Sequence, residues 1–247
     1  MPAILLNSRV YVAGADLTGT SNKIALDVER AELDATTFGG AGWTQNESGL
    51  GKGTAAVTGF WAAGDAGQPD DRFYADLGVN QPLTVVPNAA NSTVAVADLA
   101  YLLQIMQSKY MMGGTVGELV GYDVAYASDS PVVRGQVMHD PGTARTATGN
   151  GTAVQLGAVT ASQRVYCSLH LISVSGTTPS LTAKLQSAAT AGGSYTDRVT
   201  FTAATALGGQ FASAAGAITD TWWRLQWTIS GTLPSFLLVA AAGITTP

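Results

Sequence analysis

One cysteine and two histidines are all that 247 residues provide. The solitary Cys167 excludes a disulfide framework and a thiolate metal cluster. His139 and His170 do not supply the several convergent ligands that a metal site needs. The sequence contains no G-x-S-x-G and no H-E-x-x-H. Gly51-Lys52-Gly53-Thr54 imitates the end of a P-loop but lacks the spaced leading glycine and the following helix. Cys167 and His170 are three apart, so on a strand they point to opposite faces and form no dyad. The expectation is a protein that is not an enzyme, with no catalytic residue, metal or cofactor.

Charge is scarce as well, at 12% of residues with a net of −5. The twelve Lys and Arg are scattered singly, which argues against tight nucleic-acid binding, since that needs several phosphate contacts on one face. A surface past which nucleic acid slides without sticking remains compatible. The start, Met1-Pro-Ala-Ile-Leu-Leu-Asn7, has no basic n-region, so no signal peptide is expected. No apolar window approaches ~18 residues, so no membrane span is expected. These features imply synthesis in the cytoplasm.

Gly, Ala, Thr and Ser dominate what is there. Such small residues suit β-sheet packing, and a weakly charged surface suits burial in an assembly. Arg9-Val-Tyr-Val-Ala13 alternates as a first strand. Asn22 to Phe38 alternates too, with Ile24, Leu26 and Val28 on one face and Ala31 and Leu33 on the other. The change of parity near Arg30 predicts a bulge, or a strand that passes from one sheet to another. Asp27, Glu29, Glu32 and Asp34 cluster here and read either as an acidic face toward a channel or as a solvated strand. Carboxylate pairs for glycoside cleavage could come from the same four.

Between Gly39 and Gly53 lies a stretch with six glycines and one large aromatic, Trp43. A loop of this length inside a compact domain is uncommon and usually functional or disordered. It reads as an arm reaching for another subunit. Thr54 to Trp61 is the next strand. Pro69 to Gly78 has Pro at a first helical position, acids in the first turn and a closing Gly, so a short helix is predicted, with Phe73 and Leu77 on its apolar side. Pro82 to Pro87 reads as a strand at a sheet edge. Residues 98–112 fit helical spacing (Leu99, Leu102, Leu103, Met106, Tyr110) and strand alternation (Tyr101, Leu103, Ile105) alike. Glu118 to Ser128 and Pro131 to His139 are strands.

Pro141 to Thr152 is small, polar and Gly/Thr-rich, and a linker is expected over 141–152. It would separate a domain over 1–140 from one over 153–247. The second half repeats Val174-Ser-Gly-Thr-Thr-Pro-Ser180 as Ile229-Ser-Gly-Thr-Leu-Pro-Ser235. Each copy sits between strands, which predicts two hairpins turned by S-G-T-x-P-S within a small β-sandwich. Trp222 has the parity of the polar face and is the candidate exposed aromatic. Either Trp222 or Tyr195 could stack a sugar, which keeps a carbohydrate-binding module open as an alternative.

The order of Asp34-Ala-Thr-Thr-Phe38, the Gly-Trp arm, the Gly59-Phe60 strand end, Ala75-Asp-Leu-Gly78, Ala100-Tyr101, Gly113-Gly-Thr-Val-Gly-Glu118 and Arg134-Gly135 resembles the major tail (tail tube) proteins of long-tailed bacteriophages. The resemblance covers about residues 1–140. It implies a mostly β fold, with an N-terminal β-sandwich or barrel of tail-tube type, one short helix, and a C-terminal immunoglobulin-like β-sandwich outside the tube. It implies a homo-oligomer of hexameric rings stacking into a tube in the virion tail, with DNA passing through the lumen. Its partners would be tape measure, tail terminator and distal tail proteins. The inter-ring arm would carry Phe38, Trp43, Leu50 and Lys52, and the acids Asp27, Glu29, Glu32 and Asp34 would face the lumen. A capsid decoration protein or a tail terminator shares the composition.

Overall fold

The computed structural model of the protein describes residues 7–39, 42–64, 67–89 and 93–247. Gly40 and Ala41 of the arm, part of the Gly64–Gly67 turn, and the first six residues, on which the signal-peptide reading rests, lie outside them. The chain is mostly β with one short helix.

Its first half runs β1 (Arg9–Val12), β2 (Ala15–Asp16), β3 (Ser21–Asp34), β4 (Asn46–Phe60), α1 (Pro69–Ala75), β5 (Asn80–Val86), β6 (Leu99–Gly113), β7 (Gly121–Ser128) and β8 (Val133–His139). Antiparallel pairing gives the order β2-β1-β5-β6-β7-β4-β3. This sheet curls so that both ends contribute to one core: Val10 and Val12 of β1, Leu83 and Val85 of β5, Leu103 and Ile105 of β6, Val124 of β7, and Val57 of β4. Phe73 of α1 closes it, against the rings of Tyr110 and Tyr122. The helix ends at Ala75, so Leu77 lies beyond it and is exposed, not on an apolar helical side.

Two readings of strands are decided by partners. Residues 98–112 are strand because β6 pairs with β5, β7 and β8, which a helix could not do. β5 is central, flanked by β1 and β6, not at an edge. Pro82 is tolerated because pairing with β1 stops at Leu83, so its missing N–H leaves no gap in that ladder. Its carbonyl accepts the Ala13 N–H at 3.0 Å.

The second half contains β9 (Gly149–Asn150), β10 (Val154–Gln155), β11 (Arg164–Ala188), β12 (Thr196–Thr200), β13 (Gly208–Ala215) and β14 (Trp222–Thr245). β11 and β14 form one long antiparallel ribbon, and the two S-G-T-x-P-S copies are paired across it, Ser175 with Ser235 and Ser180 with Ser230. They are therefore not two hairpin turns. The register breaks there, and Gly176 and Gly231 both hold positive φ. A Cβ on Gly176 would sit 2.7 Å from the Leu233 carbonyl, and one on Gly231 the same distance from that of Thr178. Each copy thus makes room for the other, and the ribbon doubles over at this point. Val165, Cys167 and Leu169 from one half then meet Leu185, Trp223, Leu225 and Trp227 from the other in a single core.

β8 joins the two halves, pairing with β6 on one side and β14 on the other. The expected linker does not span a gap: Arg145 bridges to Phe236, and β9 pairs with Gln226–Trp227. Both histidines sit where the halves meet. His170 Nε2 donates to Thr84 Oγ1 at 2.8 Å, Thr84 hydrogen-bonds Ser168 at 2.7 Å, and His170 Nδ1 accepts the Gly14 N–H at 3.4 Å. His139 accepts from Arg145 Nε at 2.9 Å and donates to the Leu238 carbonyl at 3.2 Å. Burial lowers the His170 pKa to about 3, and burial, helped by Arg145, also lowers that of His139.

The unfolded chain takes up these protons near pH 6.5 while the folded one refuses them. Stability is therefore full above pH 6.5 and falls as pH drops toward the folded values, by about 1.4 kcal/mol per pH unit for His170. Urea unfolding should show roughly 2 kcal/mol lost between pH 7 and pH 5, with a flatter dependence in His170→Gln. Equal stability of the unmodified protein at both pH values would contradict a buried neutral His170.

Candidate assembly surface

The arm is a β-hairpin. β3 and β4 pair from Ser21–Gly59 outward to Asp34–Asn46, so residues 46–53 are strand and not loop as their glycines suggested. β7 supports β4 only over Thr54–Phe60. The outer part of the hairpin, with residues 46–53, projects beyond the sheet by about 25 Å at ~3.3 Å per residue. Gly53 marks where it leaves: a Cβ there would lie 2.6 Å from Val132 Cγ2.

Local polar contacts hold the tip. Asp34 Oδ1 accepts the Thr36 N–H at 2.9 Å, Thr36 Oγ1 accepts the Gln45 N–H at 2.9 Å, and Ala35 N–H reaches the Gln45 carbonyl at 2.7 Å. The Thr36 hydrogen bonds also lower the Asp34 pKa. Gly42 takes φ +87°, a turn conformation that favours glycine. The register shifts between Arg30 and Glu32, near the expected bulge, but the additional residue lies on β4 at Gly49–Leu50, so β3 keeps its own alternation.

Large apolar side chains stand in solvent along this hairpin. Phe38 is fully exposed, Trp43 is 80% and Leu50 87% exposed, and Val28 and Leu33 are more than half exposed. Lys52 is also exposed, with its ammonium 2.9 Å from Glu29, which raises the Lys52 pKa. The four arm residues named from sequence thus share one projecting element, with Phe38 and Trp43 in the tip and Leu50 and Lys52 on its shaft.

The four acids do not share a face. Asp27 and Glu29 have one parity on β3, Glu32 and Asp34 the other, and the additional residue lies on the partner strand. Glu29 is paired with Lys52, whereas Glu32 accepts from Asn46 Nδ2 at 2.5 Å. β3 has β4 as its single strand partner among the described residues, so its outer edge is open.

The C-terminal half offers less. Trp222 is half-buried rather than exposed, between Ala188 and Gln155 on the neighbouring strands. The Tyr195 ring is covered by the Arg224 guanidinium at 3.8 Å. Among the described residues, Leu233 is the one large exposed apolar side chain beyond residue 140. Cys167 is buried in the C-terminal core and His170 faces the other way, toward Thr84. No three His, Cys, Asp or Glu side chains among the described residues converge as metal ligands.

Sequence reasoning missed a second exposed apolar group, around the β6–β7 turn. It includes Met112, Val116, Leu119 and Val120, next to Phe60 and Trp61. The available signal was Val and Leu in a Gly-rich turn, Gly113-Gly-Thr-Val-Gly-Glu-Leu-Val120, where polar residues are the rule.

No protein-family model matches this sequence, and no curated protein matches it. Several solved structures are similar. The virion of a native gene transfer agent particle is 13% identical, covering 53% of this chain and 97% of that chain, with a TM-score of 0.40. The SPP1 tail tube is 14% identical, covering 53% and 78%, with a TM-score of 0.41. The SPP1 Dit protein, described as a paradigm of the hub adsorption apparatus in phages infecting Gram-positive hosts, is 10% identical, covering 96% and 99%, with a TM-score of 0.35. These neighbours are phage and phage-like tail proteins.

Proposed function

We propose that this chain is a structural, non-enzymatic subunit of a bacteriophage tail, a tail-tube protein whose hexameric rings stack into the conduit for DNA. The observation that carries this reading is the projecting β3–β4 hairpin with an exposed aromatic tip. Soluble monomers rarely leave Phe38, Trp43 and Leu50 in water together, because each exposed apolar group favours association. The open edge of β3 supports the same reading, since an unpaired 14-residue edge invites strand pairing with a neighbour. The order of short motifs over residues 1–140 supports the family.

In this reading the homo-oligomer is completed at its ends by terminator, distal tail and tape measure proteins, and the location is the virion tail after synthesis in the host cytoplasm. DNA passes without specific binding, consistent with scattered basic residues and a net charge of −5. Sedimentation velocity tests it: the purified chain should convert from subunits to large particles as concentration rises, and a monomer at every concentration would contradict it. A carbohydrate platform is not favoured, because Trp222 is half-buried and Tyr195 is stacked by Arg224.

Splitting the acids between two faces sharpens the lumen role. One face of β3 at most can line a channel. Asp27→Lys and Glu32→Lys, introduced separately, should leave tubes intact, and one of them alone should slow DNA ejection. If neither or both changed it, the lumen assignment would be wrong.

A further inference from the structure

The opposite end of β4 carries a second exposed apolar surface. β4 starts at the arm tip with Asn46 and ends at Phe60, about 45 Å away at ~3.3 Å per residue. Beside that far end lies the β6–β7 turn. Phe60 pairs with Gly121, and the Trp61 N–H donates to the Val120 carbonyl at 2.9 Å. Trp61, Met112, Val116, Leu119 and Val120 are exposed at this end, Val116 fully and Leu119 to 75%, while Phe60 lies on the other face of the sheet. Trp61, Met112 and Val120 continue the core side of the sheet, next to the buried Tyr122.

The arm of the same molecule cannot cover this surface, because both are fixed to opposite ends of one strand. Two different apolar patches facing opposite ways define a heterologous contact, which propagates head to tail instead of closing as a two-fold dimer. Their charges also match. Residues 35–46 contain no charged side chain, and the turn from Tyr110 to Tyr122 contains Glu118 alone. A neutral tip brings no charge of its own to this surface, where the nearby Asp70 carboxylate already has the Tyr110 hydroxyl as a partner.

We infer that the β6–β7 end of one subunit, with Trp61, is the docking surface for the Phe38–Trp43 arm tip of a second copy of this chain. This rests on the assembly reading above and adds to it where the arm lands. Two aromatics bring about 300–500 Å² to such a contact. That is about half of the roughly 800 Å² per partner in a standard stable interface. A single contact is therefore weak, and its repetition around a ring makes it durable.

Complementation tests the inference. One variant loses the tip (Phe38→Asp with Trp43→Asp) and another loses the far end (Val116→Asp with Leu119→Asp). All four side chains are exposed, so both variants should melt like the unmodified protein. Neither alone should form large particles in sedimentation velocity. Their equimolar mixture should take one discrete step, the far-end variant's tip entering the tip variant's receptor, and stop there, because the pair has no second tip and receptor with which to continue. If the far-end variant assembled normally, or the mixture sedimented as the plain sum of the two variants, the docking assignment would be overturned. If the tip variant assembled normally, the arm reading beneath it would fall instead.

Discussion

Phe38→Asp combined with Trp43→Asp is expected to give a folded, soluble chain that no longer stacks. Both side chains stand in solvent, so the folded subunit loses no core contact. In an assembly they would be buried. An aromatic that buries about 150–250 Å² contributes roughly 4–6 kcal/mol at ~25 cal/mol per Å². An aspartate in its place forfeits that and adds the cost of desolvating a charge. Because one ring would meet the next through several arms, the loss multiplies and the effect should be all or none. Circular dichroism melting should match the unmodified protein, while particle formation by light scattering disappears. Normal particle formation would remove the arm from the interface. An unfolded variant would show that the tip belongs to the subunit core.

The second large effect concerns the junction of the two halves. Gly135 on β8 lies opposite Gly243 on β14. A Cβ added to Gly135 would sit 2.1 Å from the Ala242 carbonyl oxygen, and one on Gly243 would sit 2.8 Å from the Gly135 Cα. The obstacle in each case is backbone, which cannot rotate aside as a side chain can. Gly135→Val should therefore cost at least the upper end of the usual overpacking range, about 3 kcal/mol. For a chain of this size that is a fall in Tm of roughly 6–12 °C. Gly51→Ala is the control: nothing lies within 4 Å of its added Cβ. If the two variants melted together, β8 and β14 would not be in contact as described.

Much of the strand pattern could be read from alternation alone. Trp223, Leu225 and Trp227 face inward as their spacing implies, whereas the register shift near Arg30 falls on β4 and not on the strand whose parity suggested it. What misled was composition in place of partnership. The glycines of 46–53 lower strand propensity, yet pairing with β3 makes them strand, because sheet formation depends on the neighbour more than on the residue. The same lesson applies to Pro82–Val86, whose prolines suggested an edge although β1 and β6 enclose it. The S-G-T-x-P-S repeat reads locally as two turns. Its two copies instead meet across the 48 residues of chain between them, which no local pattern encodes.

For the candidate surface, Trp43 and Phe38 were legible because an aromatic in a glycine-rich stretch has no obvious core to enter. The far-end patch was not. It is assembled from residues 60–61 and 112–120, which are brought together only by β4 pairing with β7. The acids fell between the two cases. Their clustering is visible in sequence, but their division between faces follows from strand parity and from the additional residue lying on β4.

In the proposed assembly this chain stacks through its arm into a tube. Negative-stain electron microscopy of the purified protein at high concentration should show tubes with a regular axial repeat of rings. Single rings that never stack, or dispersed monomers, would contradict it.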